Sequence, residues 1–150
     1  MQCPYWKSKQ GYEMQFAVNH LGHFLLTNLL LDLLKKSGPS RIINISSLAH
    51  KSGKINWDDI NGEKAYSPIK AYYQTKLANI LFTNELAERL KRSQVTSVSL
   101  HPGLVRTEIL RYSDNKVDIA LAYIVIVCAP IWWMVSKTPF EGIKYLILVN

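Results

Sequence analysis

The chain has 150 residues, 48% of them hydrophobic, which is enough for one core or part of one, and it shows no internal repeat or low-complexity tract. Its formal net charge of +7 is dispersed among apolar segments, at Lys35-Lys36, Lys51, Lys54 and Arg89 to Arg92; this excludes a nucleic-acid footprint and leaves attraction to an acidic membrane surface or to cofactor phosphates as a lesser reading. Two cysteines, Cys3 and Cys128, have neither disulfide-framework nor metal-ligand spacing, and no signal peptide opens the chain, so a reducing intracellular compartment is expected rather than secretion.

Residues 1–13 form a polar leader without apolar periodicity. Met14 to Lys36 reads as one long helix, apolar around most of its circumference, with Asn19-His20-Leu21-Gly22-His23 in its first turns. His20 and His23 lie three apart on that helix, but no third ligand is near, so packing or surface roles are expected and no metal site. Arg41 to Ile45 reads as a short buried strand running directly into Ser46 and Ser47. Hydroxyls at a strand's carboxyl end face the ligand crevice of an α/β sheet.

After an insertion come Ala71-Tyr72-Tyr73-Gln74-Thr75-Lys76, where Tyr72 and Lys76 share one face of a helix that continues over residues 71–91. Leu77, Leu81, Phe82, Leu86 and Leu90 form its apolar stripe. An ammonium beside a phenol favours the phenolate, so Tyr72 is expected to move down from its ordinary value near pH ~10, toward proton transfer at neutral pH. The tyrosines also pair with lysines at this spacing elsewhere in the chain. Tyr66 and Lys70 bracket Pro68, which separates them from a shared helical face, and Tyr5 and Lys9 lie in the leader. Val95 to Leu100 is a second strand, and His101-Pro102-Gly103-Leu104-Val105-Arg106-Thr107 follows as a turn that lets backbone approach a ligand closely.

These motifs, in this order, resemble the short-chain dehydrogenase/reductase superfamily over nearly the whole chain. Asn19 to Phe24, Ser46 to His50, the long insertion between Ser47 and Tyr72, and His101 before Pro102-Gly103 look like its retinol dehydrogenase-like branch. The resemblance implies an α/β Rossmann-type fold with a doubly wound parallel sheet. It implies catalytic Asn19, Ser47, Tyr72 and Lys76, with Tyr72 transferring the proton and Ser47 binding the substrate oxygen. Lys76 would lower the tyrosine and hold the nicotinamide ribose with Tyr72, Asn19 would support a relay water, and Pro102, Gly103, Val105 and Thr107 would orient the nicotinamide. The implied activity is hydride transfer between NADP(H), with NAD(H) as the alternative, and a lipophilic alcohol or carbonyl such as retinol or retinal. A reductase of steroid or other prenyl-like carbonyls is the enzymatic alternative.

The family's glycine-rich pyrophosphate turn and its Asn-Asn-Ala-Gly strand motif are missing, and the seven glycines are scattered. The expectation is a partial domain over residues 1–150, an internal fragment or truncated gene model that holds the catalytic part without the first mononucleotide-binding half. The strand at 41–45, interior in a whole fold, would then lie at an exposed edge. Ile119 to Val135 carries no charge but includes Tyr123, Trp132 and Trp133, interrupted by Pro130. An apolar substrate lid is expected over 117–137, with a membrane-dipping lid or a spanning helix as lesser readings. Thr138-Pro139-Phe140-Glu141 opens a further helix toward Asn150. The expected partners are a lipophilic substrate, an endoplasmic reticulum or other organelle membrane surface, and a second copy through helices 14–34 and 71–91. The non-enzymatic rival is an inactive truncated chain that pairs with full-length homologues through the helix faces at 14–34 and 71–91.

Overall fold

The computed structural model describes residues 1–103 together with residues 105, 109 and 112. The apolar run after the leader forms one helical stretch in three parts. Its first turn, α1 (Met14–Phe16), is started by Glu13, whose carboxylate accepts the N–H groups of Gln15 and Phe16 at 2.9 and 2.7 Å. Those donors have no carbonyl one turn back, so the side chain satisfies them instead. A π-helical turn over Ala17–Leu21 follows, and α2 (Gly22–Lys36) completes the run. The stretch begins at Met14 and ends at Lys36, as its apolar pattern predicts, but the widened turn around Asn19 has no counterpart in that pattern.

Two strands, β1 (Ser40–Ile45) and β2 (Val95–Leu100), pair in parallel with Ser40 opposite Val95 and Ile45 opposite Leu100. Between them α3 (Pro68–Leu90) forms the crossover of a βαβ unit. Pro68 sits in the first turn of α3, where its fixed φ suits a helix and its missing N–H is no loss. Tyr66 therefore lies outside the helix that carries Lys70. Ile42, Leu86, Leu90 and Val95 form the core, and Leu31, Leu34 and Phe82 pack against it. This apolar burial, worth about 25 cal/mol per Å², clamps both helices to one face of the sheet.

The opposite side of α2 is bare. Leu25, Leu29 and Leu33, spaced by four and so on one face, are 58%, 72% and 62% exposed. Among the described residues β1 has β2 as its one strand neighbour, and Ile45 is exposed at its end. This is the open edge expected for 41–45.

The insertion between β1 and α3 is tied down by polar side chains. Asp59 accepts the N–H groups of Glu63, Lys64 and Ala65 at 2.7, 3.0 and 3.2 Å. From α3, Gln74 accepts the N–H of Asn56 at 2.8 Å and donates to the carbonyl of Ile60 at 3.0 Å. Gly53 passes so close to α3 that a Cβ there would lie 2.7 Å from the carbonyl oxygen of Tyr73. The expected lid at 117–137 and the helix expected toward Asn150 lie outside the described residues. Among the described residues, no helix is long and apolar enough to cross a membrane.

Candidate active site

Parallel pairing fixes where the chemistry-bearing side chains emerge. The ladder continues one step beyond β1, with the Ser46 N–H donating to the Leu100 carbonyl at 2.8 Å. Ser47 and His101-Pro102-Gly103 therefore leave the sheet side by side at its carboxyl edge, where ligands bind in such folds. Gly103 has φ +82°, a left-handed conformation that favours glycine, so the backbone can turn sharply there. Pro102, Gly103 and Val105 are half-buried, while Thr107 lies outside the described residues.

Ser47 has an extended backbone and caps the short 3-10 helix Leu48–Ser52, with its Oγ accepting the Ala49 N–H at 3.3 Å. Its hydroxyl is also a polar neighbour that lowers the phenol of Tyr72, which is 6% exposed. One helical turn further along α3, Lys76 places Nζ 5.6 Å from the centre of the Tyr72 ring and donates to the Ile45 carbonyl at 3.3 Å. Ser46 Oγ donates to the Lys76 carbonyl at 2.8 Å, which pins this turn of α3 to the end of β1. Serine, tyrosine and lysine are thus brought together.

The electrostatics differ from the expectation. Burial pushes the Tyr72 phenol up from its ordinary value, and the Ser47 hydroxyl offsets this only in part. Burial pushes Lys76 down. Both groups are taken out of water, so the charged form of each is disfavoured, and desolvation outweighs the lowering expected from a neighbouring ammonium.

Asn19 lies on the π-helical turn rather than on a regular helix. Its Nδ2 donates to Thr75 Oγ1 at 3.3 Å, and its backbone carbonyl accepts from Asn79 Nδ2 at 3.1 Å and from His23 Nδ1 at 3.2 Å. Asn79 was not singled out by motif. It shares a helix face with Tyr72 and Lys76 by the spacing 72, 76, 79, and a polar residue continuing that face is the signal that marks it. His20 bonds the Asn79 side chain and His23 the Asn19 carbonyl, and among the described residues no group of His, Cys, Asp or Glu could hold a metal.

Two other features compete with this site. Burial raises the Tyr66 phenol strongly, but its oxygen is saturated: it donates to the Cys3 carbonyl at 2.9 Å and accepts from Gln15 Nε2 at 3.0 Å. It is a structural tyrosine. A cavity of about 380 Å³ lies beneath the insertion, lined by Glu13, Lys54, Asp59, Tyr66, Lys70 and Gln74 among others. Gln74 points from the side of α3 away from Tyr72, and Ser47, Tyr72 and Lys76 are not in its lining, so it is separate from the site above.

The sequence profile described as short chain dehydrogenase matches residues 6–118, and the chain belongs to that family. Within it the chain is retinol dehydrogenase-like. It is 52% identical over 140 residues to human (Homo sapiens) retinol dehydrogenase 13, covering 93% of this chain and 41% of that protein. Over 145 residues it is 51% identical to human retinol dehydrogenase 11, covering 95% of this chain and 42% of that protein. The solved structure of an uncharacterised protein from Mycobacterium Paratuberculosis superimposes with a TM-score of 0.65 at 44% identity, covering 76% of this chain and 42% of that one. The fold is accordingly of the Rossmann type, and the chain spans about two fifths of the length of the curated relatives it matches.

Proposed function

We propose that the whole protein is an NAD(P)-dependent oxidoreductase that interconverts a lipophilic alcohol and its carbonyl, with a retinoid as the substrate class. The observation that carries this is the buried Tyr72 phenol, with Ser47 as a polar neighbour and Lys76 against its ring, at the carboxyl edge of a parallel sheet. The name retinol dehydrogenase, borne by relatives about half identical, supports the retinoid.

In the direction of reduction, Tyr72 gives its proton to the carbonyl oxygen as hydride arrives at the carbonyl carbon; in oxidation it takes that proton back. Ser47, a polar neighbour of that phenol, would donate to the same oxygen as negative charge builds there. The desolvation that raises the phenol keeps the proton on Tyr72 until substrate binds. Lys76 uses one of its three N–H donors on Ile45, so two are left for the hydroxyls of a nicotinamide ribose. Pro102, Gly103, Val105 and Thr107 would orient the nicotinamide, and the cofactor when bound supplies or accepts the hydride. NADP is the proposed cofactor, with NAD as its alternative. Asn19, held to Thr75 by its Nδ2, would present its side-chain oxygen to a relay water. The proposed setting is an endoplasmic reticulum or other organelle membrane surface, with the apolar stretch 117–137 as a lid over a long substrate.

Tyr72→Phe in the whole protein tests this reading. It removes the transferable proton and keeps the ring, so turnover of retinal with NADPH should fall by at least the ~10²-fold typical of a general acid. Near-normal turnover would remove Tyr72 from the chemistry.

The bare apolar stripe of α2 favours a second reading. In it, this chain is inactive and associates with a full-length homologue through the faces at 14–34 and 71–91.

A further inference from the structure

The polar seam between α2 and α3 centres on Asn79, which is 5% exposed. Its Nδ2 donates to two carbonyls at once, Asn19 and Ile45, each at 3.1 Å. The Ile45 carbonyl is also the one that receives Lys76 Nζ at 3.3 Å. Asn79 Oδ1 faces His20 Nδ1 at 2.9 Å. A flipped amide would set its oxygen against two carbonyl oxygens, so the orientation is determined, and His20 must carry its proton on Nδ1. The imidazole is held by Phe16, Phe24 and Phe82, with ring centres 5.2, 6.1 and 6.2 Å away. Every polar hydrogen and acceptor of Asn79 is thus engaged on groups that border the catalytic face.

We propose that His20 and Asn79 are positioning residues, a half-buried imidazole and a buried amide that tie the Asn19 turn to the end of β1 and so hold the Lys76 ammonium beside the Tyr72 ring. The pair touches neither substrate nor cofactor. It acts through the Ile45 carbonyl, which Asn79 holds in place from one side while Lys76 bonds it from the other. This inference rests on the catalytic reading of Tyr72 and Lys76. Protonation of His20 would preserve the Nδ1 donor, so acid alone does not release the pair. The groups facing the Tyr72 phenol are Ser47 and Lys76, with the Tyr73 ring 6.5 Å away.

The test compares the parent, Asn79→Leu, His20→Phe and His20→Asn in the whole protein. Asparagine can return a donor near the Nδ1 position, whereas phenylalanine keeps only the ring. With ¹³C-labelled tyrosine and Tyr72→Phe for assignment, the Tyr72 phenol should titrate higher in Asn79→Leu and His20→Phe than in the parent, and His20→Asn should restore it. Turnover should fall by roughly 10-fold in the two disruptive variants with KM little changed, within the ~10²-fold that a misplacement of about 1 Å can cost. An unchanged phenol titration in a folded variant overturns the proposal, even where turnover falls, because a merely structural role would lower turnover without moving the phenol. Nitrogen NMR of the parent imidazole needs no variant: an Nδ1–H tautomer at His20 is expected, and an Nε2–H tautomer overturns the pair. A parent without dehydrogenase activity would defeat the catalytic reading, while the phenol titration would still decide the positioning role.

Discussion

Ser47 and burial act in opposite directions on the Tyr72 phenol, and the balance can be read on one oxygen. Burial disfavours the phenolate, while a donor hydroxyl favours it. Ser47→Ala removes that donor and leaves the burial, so the Tyr72 phenol should titrate above its value in the parent. Ultraviolet or NMR titration of the folded protein checks this, and a downward movement would show that Ser47 accepts from the phenol rather than donating to it. Tyr66 is the instructive contrast, since its phenol is raised further yet has every bond occupied by Cys3, Gln15 and Glu13. A perturbed tyrosine is catalytic only where its oxygen has a place for substrate.

Among the elements, α3 carries most of the site and meets its neighbours through tight contacts. Gly53 abuts α3, where a Cβ would meet the Tyr73 carbonyl oxygen at 2.7 Å and Leu77 Cβ at 3.0 Å. Backbone cannot yield as a side-chain tip can, so Gly53→Ala should destabilise the fold by ~1–3 kcal/mol through overpacking. Its urea midpoint against the parent measures this; an unchanged midpoint would mean the insertion shifts away without cost. The seam between α2 and α3 makes its own prediction through His20. Burial among aromatic rings pushes this imidazole below its ordinary value of 6.5. The unfolded chain therefore takes up the proton first as pH falls. His20 contributes its full stability above about pH 6.5, and that contribution is lost as pH drops toward the depressed folded value. Denaturation midpoints between about pH 5 and pH 7.5 should fall less steeply with acid in His20→Phe than in the parent. Parallel slopes would show that His20 is not the group being titrated.

Across the molecule, one side is finished and the other is open. The core of Ile42, Leu86, Leu90 and Val95 is covered by both helices, whereas the Leu25, Leu29 and Leu33 face of α2 is mostly exposed and, among the described residues, β1 has one strand neighbour. In a doubly wound sheet such a strand is interior. If the stripe associates when nothing else covers it, the isolated chain should sediment as larger species with rising concentration. Leu29→Lys should then return it toward monomer at little cost in stability, because Leu29 is 72% exposed. A parent that stays monomeric throughout that range would remove the association reading.

The sequence by itself determined the elements and their order. Apolar periodicity over Met14 to Lys36 and the alternation of short β runs with one long amphipathic helix are local signals, because they follow from backbone geometry within a few residues. The four-residue spacing of Tyr72 and Lys76 is local in the same sense, and the resemblance to short-chain dehydrogenases singled out Ser47 and Asn19 beyond it. Only the tertiary structure decided the environment of those side chains. The π-helical turn at Asn19, the Asn79 amide shared between Asn19 and Ile45, and the upward shift of the Tyr72 phenol all depend on groups tens of residues apart in sequence. Desolvation and hydrogen bonding are properties of what surrounds a group in space, so residue spacing alone predicted a lowered tyrosine where burial produces a raised one.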